Sequence, residues 1–190
     1  ARTRARKKVT AVHKEPVYRV CCGMFAEECR KAAKDFPDVK FEEEMVDTVA
    51  MKLVMNPQQY DVVVTTNQFG DILTDEGAGL VGGLGLAPGL CVGERQAMSQ
   101  AIHGSAPDIA GKGIANPTAI LLSGVMMLNH LGEMEAAERV RLAIEQVYRE
   151  GKMLTRDLGG RATTREFTDA VIAAVGEKYR QQEHSLPSRN

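Results

Sequence analysis

Apolar and polar positions alternate between two periods along the first half of the chain. Lys8 to His13 is a short apolar run of strand length. Met24 to Phe36 repeats its apolar positions at helical spacing and stops before Pro37. Lys40 to Val46 reads as a second strand, Asp47 to Met55 as a helix ending before Pro57, and Tyr60 to Thr66 as a third strand. A further helix is predicted to open near Gly70. This βαβαβ rhythm predicts an α/β fold with a parallel or mixed sheet covered by helices.

The rhythm breaks at Gly82-Gly83-Leu84-Gly85-Leu86-Ala87-Pro88-Gly89. That stretch has neither Walker nor G-x-G-x-x-G spacing, so a flexible turn or inter-domain crossing is the better reading than a phosphate cradle. Ser99 to Ile102 is a candidate strand, and a polar loop spans His103 to Asn116. Asn116 is a good helix cap, with Pro117 in the first helical position. The run Ile120-Leu121-Leu122 with Val125-Met126-Met127-Leu128 is apolar on most faces and predicts a buried helix. Glu133 to Glu150 is amphipathic, with Ala137, Val140, Ile144 and Val147 on one stripe. After the turn Leu158-Gly159-Gly160, Thr163-Thr164-Arg165-Glu166 has capping-box spacing and starts a last helix through Val171, Ile172 and Val175. The tail from Gln181 to Asn190 is polar and reads as frayed.

Composition narrows the class. The chain has 190 residues, 44% of them hydrophobic, and a formal net charge of -1. That balance argues against bulk nucleic-acid binding. The one basic cluster, Arg2, Arg4, Arg6, Lys7 and Lys8, reads as a solvated helix end leading into a strand. Cys21, Cys22, Cys29 and Cys91 form no C-x-x-C pair, which disfavours structural zinc. With no signal peptide, they suggest a reducing, cytoplasmic-type compartment. No apolar stretch reaches transmembrane length. The first residue is not Met, which leaves processing or a missing N-terminal portion open.

Two features carry chemistry. Asp71 and Asp75 stand four residues apart, one helical turn, just after a strand. Two bare carboxylates so close repel, and a hard divalent cation such as Mg2+ or Mn2+ would relieve the repulsion. The commoner use of Asp near a helix start is as a cap or dipole partner. The second feature is the loop from His103 to Pro117, long and punctuated by Gly and Pro. A tightly bracketed loop of this kind is usually functional.

The loop, read with four other blocks, resembles the β-decarboxylating dehydrogenases, which include isopropylmalate, isocitrate, homoisocitrate and tartrate dehydrogenases. His103 to Pro117 is similar to their adenosine-binding loop, and Asn67 to Asp75 to their metal-binding signature. Val9 to Lys14, Val46 to Met51, and Leu158-Gly159-Gly160 with Ala162-Thr163-Thr164 match further blocks, in order and at ordinary spacing. The resemblance implies an isopropylmalate/isocitrate dehydrogenase-like mixed sheet with flanking helices, lacking the N-terminal half of the fold. Residues 1–80 would be part of the smaller, dimer-forming substrate and metal domain. Residues 81–190 would be the C-terminal part of the larger NAD-binding domain.

The same resemblance implies site roles. Asp71 and Asp75 would be metal ligands, with Asp47 a third ligand contributed across a dimer interface. Lys14 would be the catalytic lysine, also reaching the neighbouring subunit's site. His103, Gly104, Ser105, Ala106, Asp108, Ile109 and Asn116 would bind the cofactor. Asp108 followed by Ile109 implies NAD, because NADP-dependent relatives carry Lys-Tyr there, and a carboxylate accepts from ribose hydroxyls but repels a 2'-phosphate. The reaction implied is oxidation of a 2-hydroxy di- or tricarboxylic acid by hydride transfer to NAD, with loss of the β-carboxylate. A dimer or larger homo-oligomer with shared sites is expected, and neither a nucleic-acid nor a membrane partner. The stretches Ala33 to Pro37 and Ala78 to Pro88 look most like homoisocitrate and NAD-isocitrate enzymes.

The chain departs from the family in three places. The family's substrate-gripping arginines, substrate-selecting loop and proton-donating tyrosine have no counterpart here. Ser99-Gln100-Ala101 stands where many relatives have a Phe-Glu-Pro-like stretch. Glu15-Pro16 replaces the usual Ala-Asn after Lys14. A non-catalytic regulatory subunit and a truncated dinucleotide-binding module are the alternatives. Retention of both Asp71 and Asp75 disfavours the first.

Overall fold

The computed structural model describes the backbone of residues 1–185 and the side chains of residues 1–176. The chain divides into two compact units, Ala1–Leu80 and a second beginning at Val81. No helix among the described residues is long and apolar enough to cross a membrane.

The first unit is built on a three-stranded parallel sheet, order β2-β1-β3, formed by β1 (Lys8–His13), β2 (Lys40–Met45) and β3 (Val62–Thr65). β1 is central, and its uncharged run is buried on both faces, with Thr10, Ala11 and Val12 fully buried. β2 carries three consecutive glutamates, a poor strand sequence in isolation. Each glutamate finds a cation. Glu42 meets Lys8 at 2.5 Å, Glu43 meets Arg30 at 2.8 Å, and Glu44 meets Lys52 at 2.6 Å. Glu44 also accepts from the Tyr60 hydroxyl at 2.7 Å, and together with burial this holds the phenol well above its ordinary range.

Three helices follow the strands: α1 (Cys21–Lys34), α2 (Val46–Met55) and α3 (Asn67–Val81). The core is Val12 of β1 between Val49 of α2 and Leu73 of α3. α1 starts three residues before the expected Met24. It has no side-chain cap and grows out of the preceding turn, with the Cys22 N–H donating to the Tyr18 carbonyl at 3.0 Å. The basic cluster is not a helix end. Residues 2–6 are turns and bends, and Arg2, Arg4 and Arg6 are engaged by groups that precede β2 and β3. Arg2 pairs with Asp38 at 2.6 Å, Arg4 pairs with Asp61, and Arg6 donates to the Gln58 carbonyl.

The second unit opens on an antiparallel hairpin of β4 (Pro88–Val92) and β5 (Ala97–Ala101). β4 begins at Pro88 and Gly89, the last two residues of the stretch read from sequence as a turn or crossing. Its Pro sits at the first strand position, where the missing N–H costs least. A Cβ on Gly89 would meet the Gln100 carbonyl oxygen at 2.9 Å, so the hairpin needs glycine there. Three helices complete the unit: α4 (Thr118–His130), α5 (Met134–Glu150) and α6 (Thr164–Ser185). α5 and α6 enclose Ala143, Ile144, Val147, Phe167, Val171 and Ala174, with Leu121 and Leu122 of α4 against them. α4 is not buried all round. Ser123 seats it on the hairpin by accepting from the Gly89 N–H and donating its hydroxyl to the Gln100 carbonyl, while Ile120 and Met127 stay exposed. The helix therefore has the hairpin on one side and α5 on another.

The C-terminal tail also differs from its reading. α6 continues to Ser185, so 181–185 are helical, and the rest of the expected frayed tail lies outside the described residues.

Candidate functional site

The carboxyl ends of β1, β2 and β3 place the first candidate site. Lys14 follows β1 directly, Asp47 follows β2 by two residues, and α3 begins two residues after β3. Pairing of His13 with Met45 sets the register at this edge. It brings the Lys14 ammonium to 2.5 Å from the Asp47 carboxylate, with the Met45 sulfur at 3.9 Å. The hydrogen bond from Lys14 holds the Asp47 carboxyl below the usual carboxylate range. The strand exit is also fixed. The Glu15 N–H donates to Nδ1 of buried His13 at 3.3 Å, and the Glu15 carboxylate meets Arg30 at 3.2 Å. Accepting at Nδ1 assigns the imidazole proton to Nε2, which has no partner among the described residues. Local spacing gave no sign of this role for His13.

α3 opens at Asn67, earlier than the expected Gly70, and has no acid in its first turn. Asp71 and Asp75 are therefore interior helix residues, and the capping alternative falls away. Leu73 faces the core. At about 100° per residue, Asp71 and Asp75 each lie about 200° from Leu73 and about 40° from each other. Both are exposed on one outward stripe, and neither carboxylate has a hydrogen bond or ion pair among the described residues. Two unneutralised carboxylates, one turn apart, are an oxygen-donor set suited to a hard divalent cation. Asp47 is held by Lys14. Among the described residues no three acidic, His or Cys side chains gather as one metal-sized group.

The second candidate site lies wholly in the second unit. A cavity of about 900 Å³ is lined by His103, Gly104, Ser105, Ala106, Ile109 and Asn116, together with Leu84, Gly85, Arg156, Asp157 and Thr164 among others. Of the residues expected to bind cofactor, only Asp108 is missing from the wall; it is exposed on the same loop. Ala106 adopts a left-handed φ of 43°, a conformation that costs a side chain of any size and that concentrates at functional loops.

Asn116 is pinned at both ends of its amide. Its Oδ1 accepts from the Thr118 N–H at 3.0 Å and so satisfies the first N–H of α4, but Pro117, expected as the first helical residue, holds the N-cap position and the helix starts at Thr118, one residue later than expected. Its Nδ2 donates to Asp157 at 2.9 Å. Gly85 closes over this pair, and a Cβ there would meet Asn116 at 3.3 Å and Asp157 at 3.4 Å. Asp157, Arg156 and Gly85 were not singled out from sequence. The one available signal was the block beginning at Leu158, next to Asp157.

A family model described as isocitrate/isopropylmalate dehydrogenase matches residues 1–171. The chain belongs to the isocitrate/isopropylmalate dehydrogenase family. Within that family it is 53% identical over 175 residues to the 3-isopropylmalate dehydrogenase of Archaeoglobus fulgidus, covering 92% of this chain and 53% of that protein. It is equally identical to the isocitrate/homoisocitrate dehydrogenase of Thermus thermophilus, covering 92% of this chain and 52% of that one. A solved isocitrate dehydrogenase from Methylococcus capsulatus superposes with a TM-score of 0.89 at 48% identity, over 92% of this chain and 52% of that chain. This isocitrate/isopropylmalate dehydrogenase family member spans about half the length of the relatives it matches.

Proposed function

We propose that the protein to which this chain belongs oxidises and decarboxylates a 2-hydroxy di- or tricarboxylic acid, passing hydride to NAD. In this reading the first unit is part of the substrate and metal domain, and the second is the C-terminal part of the NAD domain. Asp71 and Asp75 hold Mg2+ or Mn2+, with Asp47 of a second subunit as a further ligand. When bound, the cation stabilises negative charge on substrate oxygens during oxidation and decarboxylation. Lys14 takes the substrate hydroxyl proton at Nζ, directly or through a water. Asp47 holds Lys14 in place before substrate arrives. Asn116, oriented by Asp157, and the loop His103 to Ile109 bind the adenosine end, with Asp108 accepting from its ribose hydroxyls. The four free cysteines support a reducing, cytoplasmic-type compartment.

The observation that carries the reading is the exposed, unneutralised Asp71/Asp75 pair, on the helix that follows β3 at the sheet edge where Lys14 meets Asp47. A second reading, a dinucleotide-binding module without turnover, is favoured by a cavity lined by the second unit alone. Absorbance of NADH separates the two, using the protein expressed from its complete coding sequence. Expected is metal-dependent NAD reduction with at least one member of a panel containing isocitrate, homoisocitrate, isopropylmalate and tartrate. NAD binding without turnover on any member would leave the second reading standing and sink the first.

A further inference from the structure

The candidate dinucleotide loop is held unevenly. Over 103–112 its hydrogen bonds among the described residues are its own short turns, such as the Ile109 N–H to the Ala106 carbonyl at 3.0 Å and the Lys112 N–H to the Ile109 carbonyl at 3.1 Å. Over 113–116 it is tied to distant parts of the unit. Asn116 is tied to Asp157. Gly113 and Ala115 are both tied to one residue, Thr164, the first of α6. The Thr164 N–H donates to the Gly113 carbonyl at 2.8 Å, and the Thr164 hydroxyl donates to the Ala115 carbonyl at 2.5 Å.

The start of α6 explains why this donor is available. The first N–H groups of a helix have no intrahelical partner. The capping box satisfies its neighbours: the Glu166 carboxylate accepts from the Thr163 N–H at 2.8 Å, and the Thr163 hydroxyl accepts from the Glu166 N–H at 3.2 Å. The Thr164 N–H is left over, pointing out of the helix end, and the loop supplies its acceptor. Gly113 meets it with a left-handed φ of 63°. Thr164 also lines the cavity beside Asn116 and Ile114.

We infer that Thr164 is a positioning residue for dinucleotide binding: its amide and hydroxyl latch the loop at Gly113 and Ala115 and so hold the cavity wall in its ligand-ready shape. This rests on the dinucleotide reading of the cavity. Thr164 need not touch the ligand. It lowers the cost of ordering the loop when ligand arrives.

The test uses Thr164→Val, which keeps the shape and the amide but removes the hydroxyl, and Thr164→Ser, which restores it. Both are made in the protein expressed from its complete coding sequence. Calorimetric titration with NAD is expected to give a Kd about 3- to 10-fold weaker for the Val variant, the worth of one net hydrogen bond, and near wild type for the Ser variant. In turnover, KM for NAD rises by the same factor and kcat stays unchanged. Amide hydrogen exchange without ligand is expected to be faster over 113–116 in the Val variant and unchanged in the Ser variant. Wild-type affinity and exchange in the Val variant overturn the inference. So does equal weakening in both variants, because the Ser variant keeps the hydroxyl and would not weaken if the hydroxyl were what holds the loop. If wild-type protein fails to bind NAD while the exchange difference is present, the latch stands and the dinucleotide reading falls.

Discussion

The Lys14 ammonium lies 2.5 Å from the Asp47 carboxylate, across two neighbouring parallel strands, at the edge where those strands end. A contact of this kind has a structural use and a chemical one. As an ion pair with an exposed carboxylate it contributes little to stability. As the partner of a base it keeps Nζ in one place.

Two substitutions separate the uses. Lys14→Arg preserves positive charge toward Asp47 but replaces the amine with a guanidinium, which does not act as a base. Lys14→Met removes both. If Lys14 transfers the substrate proton, both variants lower kcat by about 10²- to 10⁴-fold, while NAD affinity stays near wild type. If the ion pair alone mattered, Arg would restore most of the activity. Steady-state kinetics with the best substrate of the panel, at saturating Mn2+, reads the difference.

The Asp71/Asp75 pair predicts a change of sign. Without a divalent cation, two carboxylates at i and i+4 destabilise their helix by roughly 0.2–0.5 kcal/mol. Asp71→Asn with Asp75→Asn should therefore melt at or slightly above the wild-type temperature in a chelating buffer. With Mg2+ or Mn2+ the order reverses, because a ligand at 100 times its Kd stabilises the folded form by about 2.7 kcal/mol. Differential scanning fluorimetry over a metal titration measures both arms. A double variant that keeps the full metal response would remove these aspartates from the site.

How far this was legible in the sequence depends on whether the cause was local. β1 was visible end to end because its apolar run has one interpretation, and the Thr163/Glu166 capping box because both partners lie within one turn. β4 was hidden because Pro88 and Gly89 are turn residues by composition and strand residues only through pairing with Ala101 and Gln100. The arginines at positions 2, 4 and 6 looked solvated because Asp38, Gln58 and Asp61 become neighbours only when the parallel strands align. The site divides the same way. Asp71 and Asp75 are near each other in any helix. The bond from Asn116 to Asp157 spans 41 residues, and no spacing rule announces it.

The capping box also sets a pH dependence. Hydrogen bonds from the Thr163 N–H and hydroxyl lower the Glu166 pKa below its ordinary value. A carboxyl whose folded pKa is depressed adds stability that is fully present above its unfolded pKa, about 4.3. That stability is lost as pH falls through the lower folded value. Glu166→Gln keeps the geometry without the charge. The melting temperature of wild type should exceed that of the Gln variant near neutral pH, and the gap should close below about pH 4. A gap that stays constant down to pH 3 would mean the charge is not what the box uses.

In the proposed reading, cofactor choice turns on Asp108 and Ile109. Ile109 lines the cavity, whereas Asp108 is exposed on the same loop and outside the wall. An exposed carboxylate at the cavity's margin can reach ribose hydroxyls at little cost, since it gives up few bonds to do so. It also repels a 2'-phosphate at close range. Asp108→Lys with Ile109→Tyr replaces the repulsion with a cation and adds a hydroxyl donor. The ratio of kcat/KM for NAD to that for NADP is therefore expected to fall by at least about 10-fold, a change of about 1.4 kcal/mol in relative transition-state binding. The neighbouring loop anchors at Asn116 and Thr164 are untouched, so loss of both activities together would point to a damaged loop. A folded, active double variant whose ratio does not move would show that Asp108 is a bystander on the cavity's rim.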